Sequence, residues 1–247
     1  RQMCIRDRIG DAPTDITSHS VATSHFYDIF RYQILDTNSY IEEIWAYGYW
    51  AIDRCARIIK EGASFKEVTK GDLTEVEGCI AQAYAIKALC SFYLTNMFGL
   101  PYSEANKTTL GIVNVTEPVP AYSQVSRVSV EQNYSLILDD ITKAKEYYAK
   151  EGVENVGKQY MNTAAVAALE ARVKLYMKNY EGAITAAQEA ITLSGGTIVS
   201  TKEDYKNMYT TLAVSTEDIF FIAKAEDDYL SANALNTFCL LYTSPSP

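Results

Sequence analysis

The chain holds little that reactive chemistry uses. Its 247 residues include two histidines, His19 and His25, six apart in a polar N-terminal stretch without a supporting carboxylate pattern. That arrangement argues against a metal centre built on them. Gly-x-Ser-x-Gly elbows and Gly-rich phosphate loops are missing, so neither an α/β-hydrolase nucleophile nor a nucleotide loop is signalled. A glycosidase needs two carboxylates about 5 to 10 Å apart, and although 31 acidic residues supply many candidates, no spacing singles out a pair. Glu226, Asp227 and Asp228 lack the glycine of an EF-hand loop and read as an acidic surface turn. The sequence therefore assigns no catalytic residue, no metal ligand and no cofactor.

Basic charge is also short. Against the 31 acids stand 22 Lys and Arg, a net charge of −9 with no basic run. Phosphate backbones are repelled on average, which excludes a nucleic-acid partner, and anionic lipid offers no direct electrostatic hold. No run approaches the roughly 18 uninterrupted apolar residues of a membrane-spanning helix, since Gln82 and Lys87 interrupt the longest candidate. Membrane attachment would need a covalent lipid. Cys4 cannot carry it, because no apolar segment precedes it.

Cysteines number five. Cys55, Cys79 and Cys90 fall at apolar or half-buried helical positions with no close metal-type pair, so buried free thiols are expected, with a disulfide or a nucleophile as the alternative. Cys4 and Cys239 lie near ends that do not continue their neighbours' periodicity. RQMCIRDR and CLLYTSPSP resemble translated sequencing-adapter sequence. Setting aside residues 1–8 and 239–247 leaves 9–238, expected as a single helical domain truncated at both ends, without its signal peptide and C-terminal region.

What is present is helical periodicity. From Ala81 to Glu104, AQAYAIKALCSFYLTNMFGLPYSE joins a long amphipathic segment to a Gly and Pro stop. Val76, Ile80, Ala83, Ile86, Cys90, Tyr93, Leu94 and Met97 recur at three- and four-residue steps, which predicts one buried face along about six turns, ended by Gly99 and Pro101. Asp72 with Glu75 and Ser129 with Gln132 have capping-box spacing, and Asn162 or Thr163 can cap the Ala-rich helix. Ala171, Ala183 and Ala190 occupy the small-residue positions of a tetratricopeptide unit, a helix pair of about 34 residues, with Tyr180 opening the second helix; any Ala-rich helical hairpin would match as well. Pairs at 40–60 with 75–98, and 163–178 with 181–194, would stack into a continuous core. Residues 100–126, with Pro101, Gly111, Pro118 and Pro120, read as an ordered excursion with short strands, where an inserted loop could reach a ligand. The expected fold is mainly α: a tetratricopeptide-like helical repeat with irregular loop excursions and short strands.

Several blocks together resemble the SusD/RagB family, surface-exposed, lipid-anchored nutrient-binding proteins of Gram-negative outer membranes. Its Gly-Glu-Ala-x-x-x-Arg-Ala helix, running into Phe/Tyr-Gly and Pro, is matched by Ala81, Gln82, Ala83, Lys87 and Ala88, then Phe92, Leu94, Phe98, Gly99 and Pro101. The Gly, Glu and Arg positions depart, and Lys87 keeps the cation without the planar fork that makes bidentate pairs. Upstream, Tyr49, Ile52, Cys55, Ala56, Ile58 and Ile59 resemble the first paired helix, with Ala56 at a usual Asn. Downstream in register stand Arg127, Ser129, Tyr134, Ile137, Asp140 and Ala144; then Ala171, Arg172, Leu175, Tyr176, Tyr180 and Ala183; then Tyr205, Met208 and Tyr209 before a Glu217-Asp218-Ile219-Phe220 strand.

The resemblance implies a binding protein, not an enzyme. It would capture an oligosaccharide on the extracellular face of the outer membrane and pass it to a TonB-dependent transporter barrel, held by a lipid at an N-terminus beyond this sequence. Peptide capture is the family's variant. From the residues alone, a cytoplasmic tetratricopeptide-type scaffold for protein segments and a helical carbohydrate-active enzyme remain open. Aromatics are abundant, with 19 Tyr, 8 Phe and 2 Trp, and tyrosine suits stacking on sugar rings while hydrogen-bonding their edges. Tyr84, Tyr93, Tyr134 and Tyr176 fall at core spacing. Asn38, Tyr40 and Trp45, where the chain enters the first helix pair beside Tyr47, are the ligand-binding candidates; Trp45 fits equally a packing role against the facing helix.

Overall fold

The computed structural model describes residues 27–153, 156–210 and 215–222, apart from the side chains of residues 209 and 210. Cys4, His19, His25, the Tyr209 side chain, Glu226, Asp227, Asp228 and Cys239 lie outside that set. Two compact units divide the chain, one of Arg1–Gly48 with Lys224–Pro247, the other of Tyr49–Ala223. The described helices are α1 (Tyr27–Phe30), α2 (Ser39–Val68), α3 (Thr74–Phe98), α4 (Val130–Tyr148), α5 (Thr163–Tyr176), α6 (Tyr180–Ser194) and α7 (Lys202–Thr210). The mainly helical, tetratricopeptide-like architecture is as expected.

Caps set the boundaries. Ser129 and Gln132 form a reciprocal capping box at α4. Of the two candidates at α5, Asn162 is the cap, its Oδ1 accepting from the Ala165 N–H at 2.9 Å. Asn179 does the same for α6 through Gly182, and Gly195, at φ 58°, ends that helix in the left-handed conformation glycine tolerates. Asp72 departs from expectation. Its Oδ1 accepts from both the backbone and the hydroxyl of Thr74, a tighter turn that leaves Glu75 out and α3 without a side-chain cap.

In the Tyr49–Ala223 unit, α3 packs on α4, α4 on α5, and α5 on α6, with α3 also touching α5. The core joins Ala81, Ala85, Ala88 and Phe92 of α3 to Tyr134, Ile137, Ile141 and Ala144 of α4 and to Ala165, Val166, Leu169 and Val173 of α5. Each fully buried Phe, Ile or Val contributes about 1.5–3 kcal/mol of transfer free energy. On the other flank, the C-terminal half of α2 meets α3, where a Cβ on Gly62 would lie 2.9 Å from the Ile80 side chain. On α6 the buried residues are Ala183, Ala186 and Ala190, whose small side chains permit close approach to α5.

Because α3 has neighbours on several sides, it is buried on more than one face. Ala81, Ala85, Lys87, Ala88, Ser91, Phe92 and Thr95 are all buried, whereas Val76, Ile86, Cys90, Tyr93 and Met97 of the expected stripe are half-buried. Gly99 does not end α3 by a left-handed turn. Its φ of −109° suits any residue; glycine is needed because a Cβ would lie 2.8 Å from the Thr95 carbonyl and 3.4 Å from Gly111 Cα. Of the four core tyrosines expected, Tyr134 is buried, Tyr84 and Tyr93 pack half-buried against the core, and Tyr176 is 50% exposed at its edge while its ring meets Phe92 edge-on.

Candidate functional site

Between α3 and α4 the chain leaves the helices and returns, and the helices grip it while it is away. The expected strands reduce, among the described residues, to one antiparallel bridge, Leu110 with Ser129. Side chains replace the missing ladder. Asn133 Oδ1 accepts from Ile112 N–H at 2.8 Å, and its Nδ2 donates to the Ile112 carbonyl at 3.1 Å and to Asn114 Oδ1 at 2.6 Å. Tyr49 reaches Val113 from α2, its hydroxyl donating to the carbonyl at 3.0 Å and accepting from the N–H at 2.8 Å. Burial pushes that phenol up to about 12, so it keeps the proton it donates. The base closes where Gly111 N–H donates to Val128 and Val128 N–H to Ile112. Above it, residues 116–127 carry the exposed part of the loop.

Lys87 completes the pedestal from α3. Its Nζ donates to the Val115 carbonyl at 3.2 Å and lies 3.0 Å from Asp140 Oδ1 of α4, with Lys87 2% and Asp140 0% exposed. An ammonium is a point charge, and here it pairs with Oδ1 alone. The absent planar fork of an Arg shows in this geometry. Burial, opposed by the Lys87 charge, pushes the Asp140 carboxyl up to about 6.

A raised carboxylate has a definite sign. Folded Asp140 binds its proton more tightly than the unfolded chain does, so between about pH 4 and pH 6 its contribution to stability falls as pH rises. Relative to Asp140→Asn, the wild-type protein is therefore expected to gain on the order of 2 kcal/mol from pH 7 to pH 4. Denaturant melts of both proteins across that range check it.

The structure places Asn38 at the N-terminus of α2, where its Oδ1 accepts from the Tyr40 and Ile41 N–H groups at 3.1 and 3.3 Å. Tyr40 and Trp45 are half-buried. Five residues of helix separate their directions by about 140°, whereas Tyr40 and Tyr47 share a face. Of the thiols, Cys55 is buried, Cys90 half-buried and, against expectation, Cys79 exposed, because α3 turns it away from the core. Burial raises Cys55 to about 11 and Cys90 to about 12, so both stay protonated. Among the described residues no group of three or more His, Cys, Asp or Glu could hold a metal ion, and no helix is long and apolar enough to cross a membrane.

No sequence motif marks Asn133 as a grip, and Tyr49 stands in the sequence only as part of a helix motif. A signal for Asn133 was available: it is an amide among Val130, Tyr134 and Ile137 on the apolar face of α4, a buried polar group in want of partners.

The described residues thus form a helical-repeat scaffold that grips an inserted loop. The chain belongs to the SusD-like family: the SusD-like_3 family, described as starch-binding and associating with the outer membrane, matches residues 7–175. Solved structures share the fold. A SusD superfamily protein from Bacteroides thetaiotaomicron aligns at 24% identity and TM-score 0.75 over 90% of this chain and 48% of its own. A SusD-like carbohydrate binding protein from Bacteroides vulgatus aligns at 16% and 0.76 over 91% and 45%, and surface glycan-binding protein A from Bacteroides fluxus at 20% and 0.52 over 71% and 34%. The chain spans about half the length or less of these proteins. No curated protein matches it.

Proposed function

We propose that this protein captures an oligosaccharide at the outer surface of the outer membrane and delivers it to a TonB-dependent transporter barrel, without bond chemistry. The observation that carries this reading is the family match, whose description joins starch binding to the outer membrane. Structural relatives named for laminarin binding and glycan binding support the ligand class. In this reading residues 9–238 form a single helical domain, a lipid holds the protein on the extracellular face, and Asn38, Tyr40 and Trp45 contact the sugar. Asn38 would serve through its Nδ2, since its Oδ1 caps α2.

Fractionation tests location and delivery together. The intact protein, recovered from outer membranes in mild detergent, is expected to bring a TonB-dependent barrel with it; recovery from the cytosol without one would sink the delivery reading. At the site, Tyr40→Ala and Trp45→Ala are each expected to weaken glycan binding about tenfold, in line with the 1–2 kcal/mol an aromatic contact supplies. Unchanged affinity in both variants would remove these residues from the site.

A further inference from the structure

The pedestal presents one side chain more openly than any other large apolar residue among those described: Tyr122 is 103% exposed. Its backbone is unusual too. Tyr122 has φ 62°, a region that favours glycine or asparagine, and it sits third in a turn in which Ser123 N–H donates to the Pro120 carbonyl at 3.2 Å. Such a turn ordinarily takes Gly or Asn at that position. Pro118 and Pro120 fix their own φ angles just before it, and below them Asn133, Tyr49 and Lys87 hold Ile112, Val113 and Val115. A bare aromatic on a stiffened loop contributes nothing to the packing of the described residues, and backbone held in a disfavoured region points to use elsewhere. Ser123, Gln124 and Ser126, which follow it in the sequence, are also exposed and carry hydroxyl and amide groups.

We propose that Tyr122 is a sugar-stacking residue, its ring forming a preorganised platform for the apolar face of a pyranose while neighbouring polar groups meet the hydroxyls. The proposal rests on the glycan-capture reading and assigns a sugar contact to the α3–α4 loop of the Tyr49–Ala223 unit. Two χ angles and a fixed turn leave little entropy to lose on binding, which is how an isolated tyrosine becomes a strong contact.

The test titrates intact protein with maltoheptaose, laminarihexaose and xylohexaose by calorimetry, then repeats with variants the best-bound of the three. Tyr122→Ala and Tyr122→Gly are expected to lose at least tenfold in affinity, and Tyr122→Phe to stay within threefold. Unliganded melting temperature should not fall in any variant. Affinity within twofold of wild type in Tyr122→Ala overturns the proposal and leaves glycan capture standing. A melting temperature that falls with the affinity also overturns it, because Tyr122 is then a packing residue of the intact protein. If wild type binds none of the three, the glycan reading fails for these ligands and the stacking role fails with it.

Discussion

Asp140→Ala is expected to cost about 3–5 kcal/mol of stability, because it leaves the Lys87 ammonium buried without its counter-charge. Lys87 is 2% exposed and meets Asp140 at 3.0 Å, so bulk solvent does not reach the ammonium in the folded protein. Replacing both groups with apolar residues of similar size, Lys87→Met with Asp140→Leu, should recover most of that loss, since two costly desolvations disappear together. The loop should not recover with it. Lys87 also holds the Val115 carbonyl, and methionine offers no donor. Denaturant melts read the stability, and hydrogen exchange over residues 112–128 reads the loop. The double variant should melt near wild type yet exchange faster in that segment. A double variant as unstable as Asp140→Ala would mean that packing, and not the buried charge, dominates the site.

Gly111→Ala should be nearly as severe, at about 3 kcal/mol. An added Cβ would stand 2.0 Å from Asn133 Oδ1, with Val130 Cα 3.4 Å away. The amide must leave, and the buried Ile112 N–H loses its partner, while the Ile112 carbonyl keeps the Val128 N–H; an unsatisfied buried group costs about 1–3 kcal/mol, and displacing the packed amide adds to it. Asn133→Ala removes the same bonds without the clash and should cost a similar amount. Since both changes abolish one set of interactions, the double variant should lose much less than the sum of the singles. Additive losses in a double-mutant cycle would show that Gly111 acts through something other than Asn133.

What could be read in the sequence was local. Ser129 with Gln132 and Asn162 with its Ala-rich helix announce themselves within four residues, and the Ala171, Ala183 and Ala190 pattern gives the α5–α6 pair. Relations that need the fold were not legible. Lys87 and Asp140 each stood in a family-like block, yet nothing in either helix says they meet. The Thr- and Val-containing excursion suggested strands, and its backbone instead takes partners from the Asn133 and Tyr49 side chains. A stripe of larger apolar residues concealed the several-sided burial of α3, because alanine fits a crowded helix contact without adding to a hydrophobic stripe. Asn38 reads in the sequence as a sugar contact, and its capping of α2 through Oδ1 is visible only in the fold.

The most direct test of glycan capture is to titrate the intact protein with a panel of purified oligosaccharides and analyse each sugar afterwards. The account predicts saturable binding of at least one of them, with the glycan recovered at its original length. A folded protein that binds no member of a broad panel, or that returns shortened products, would contradict it.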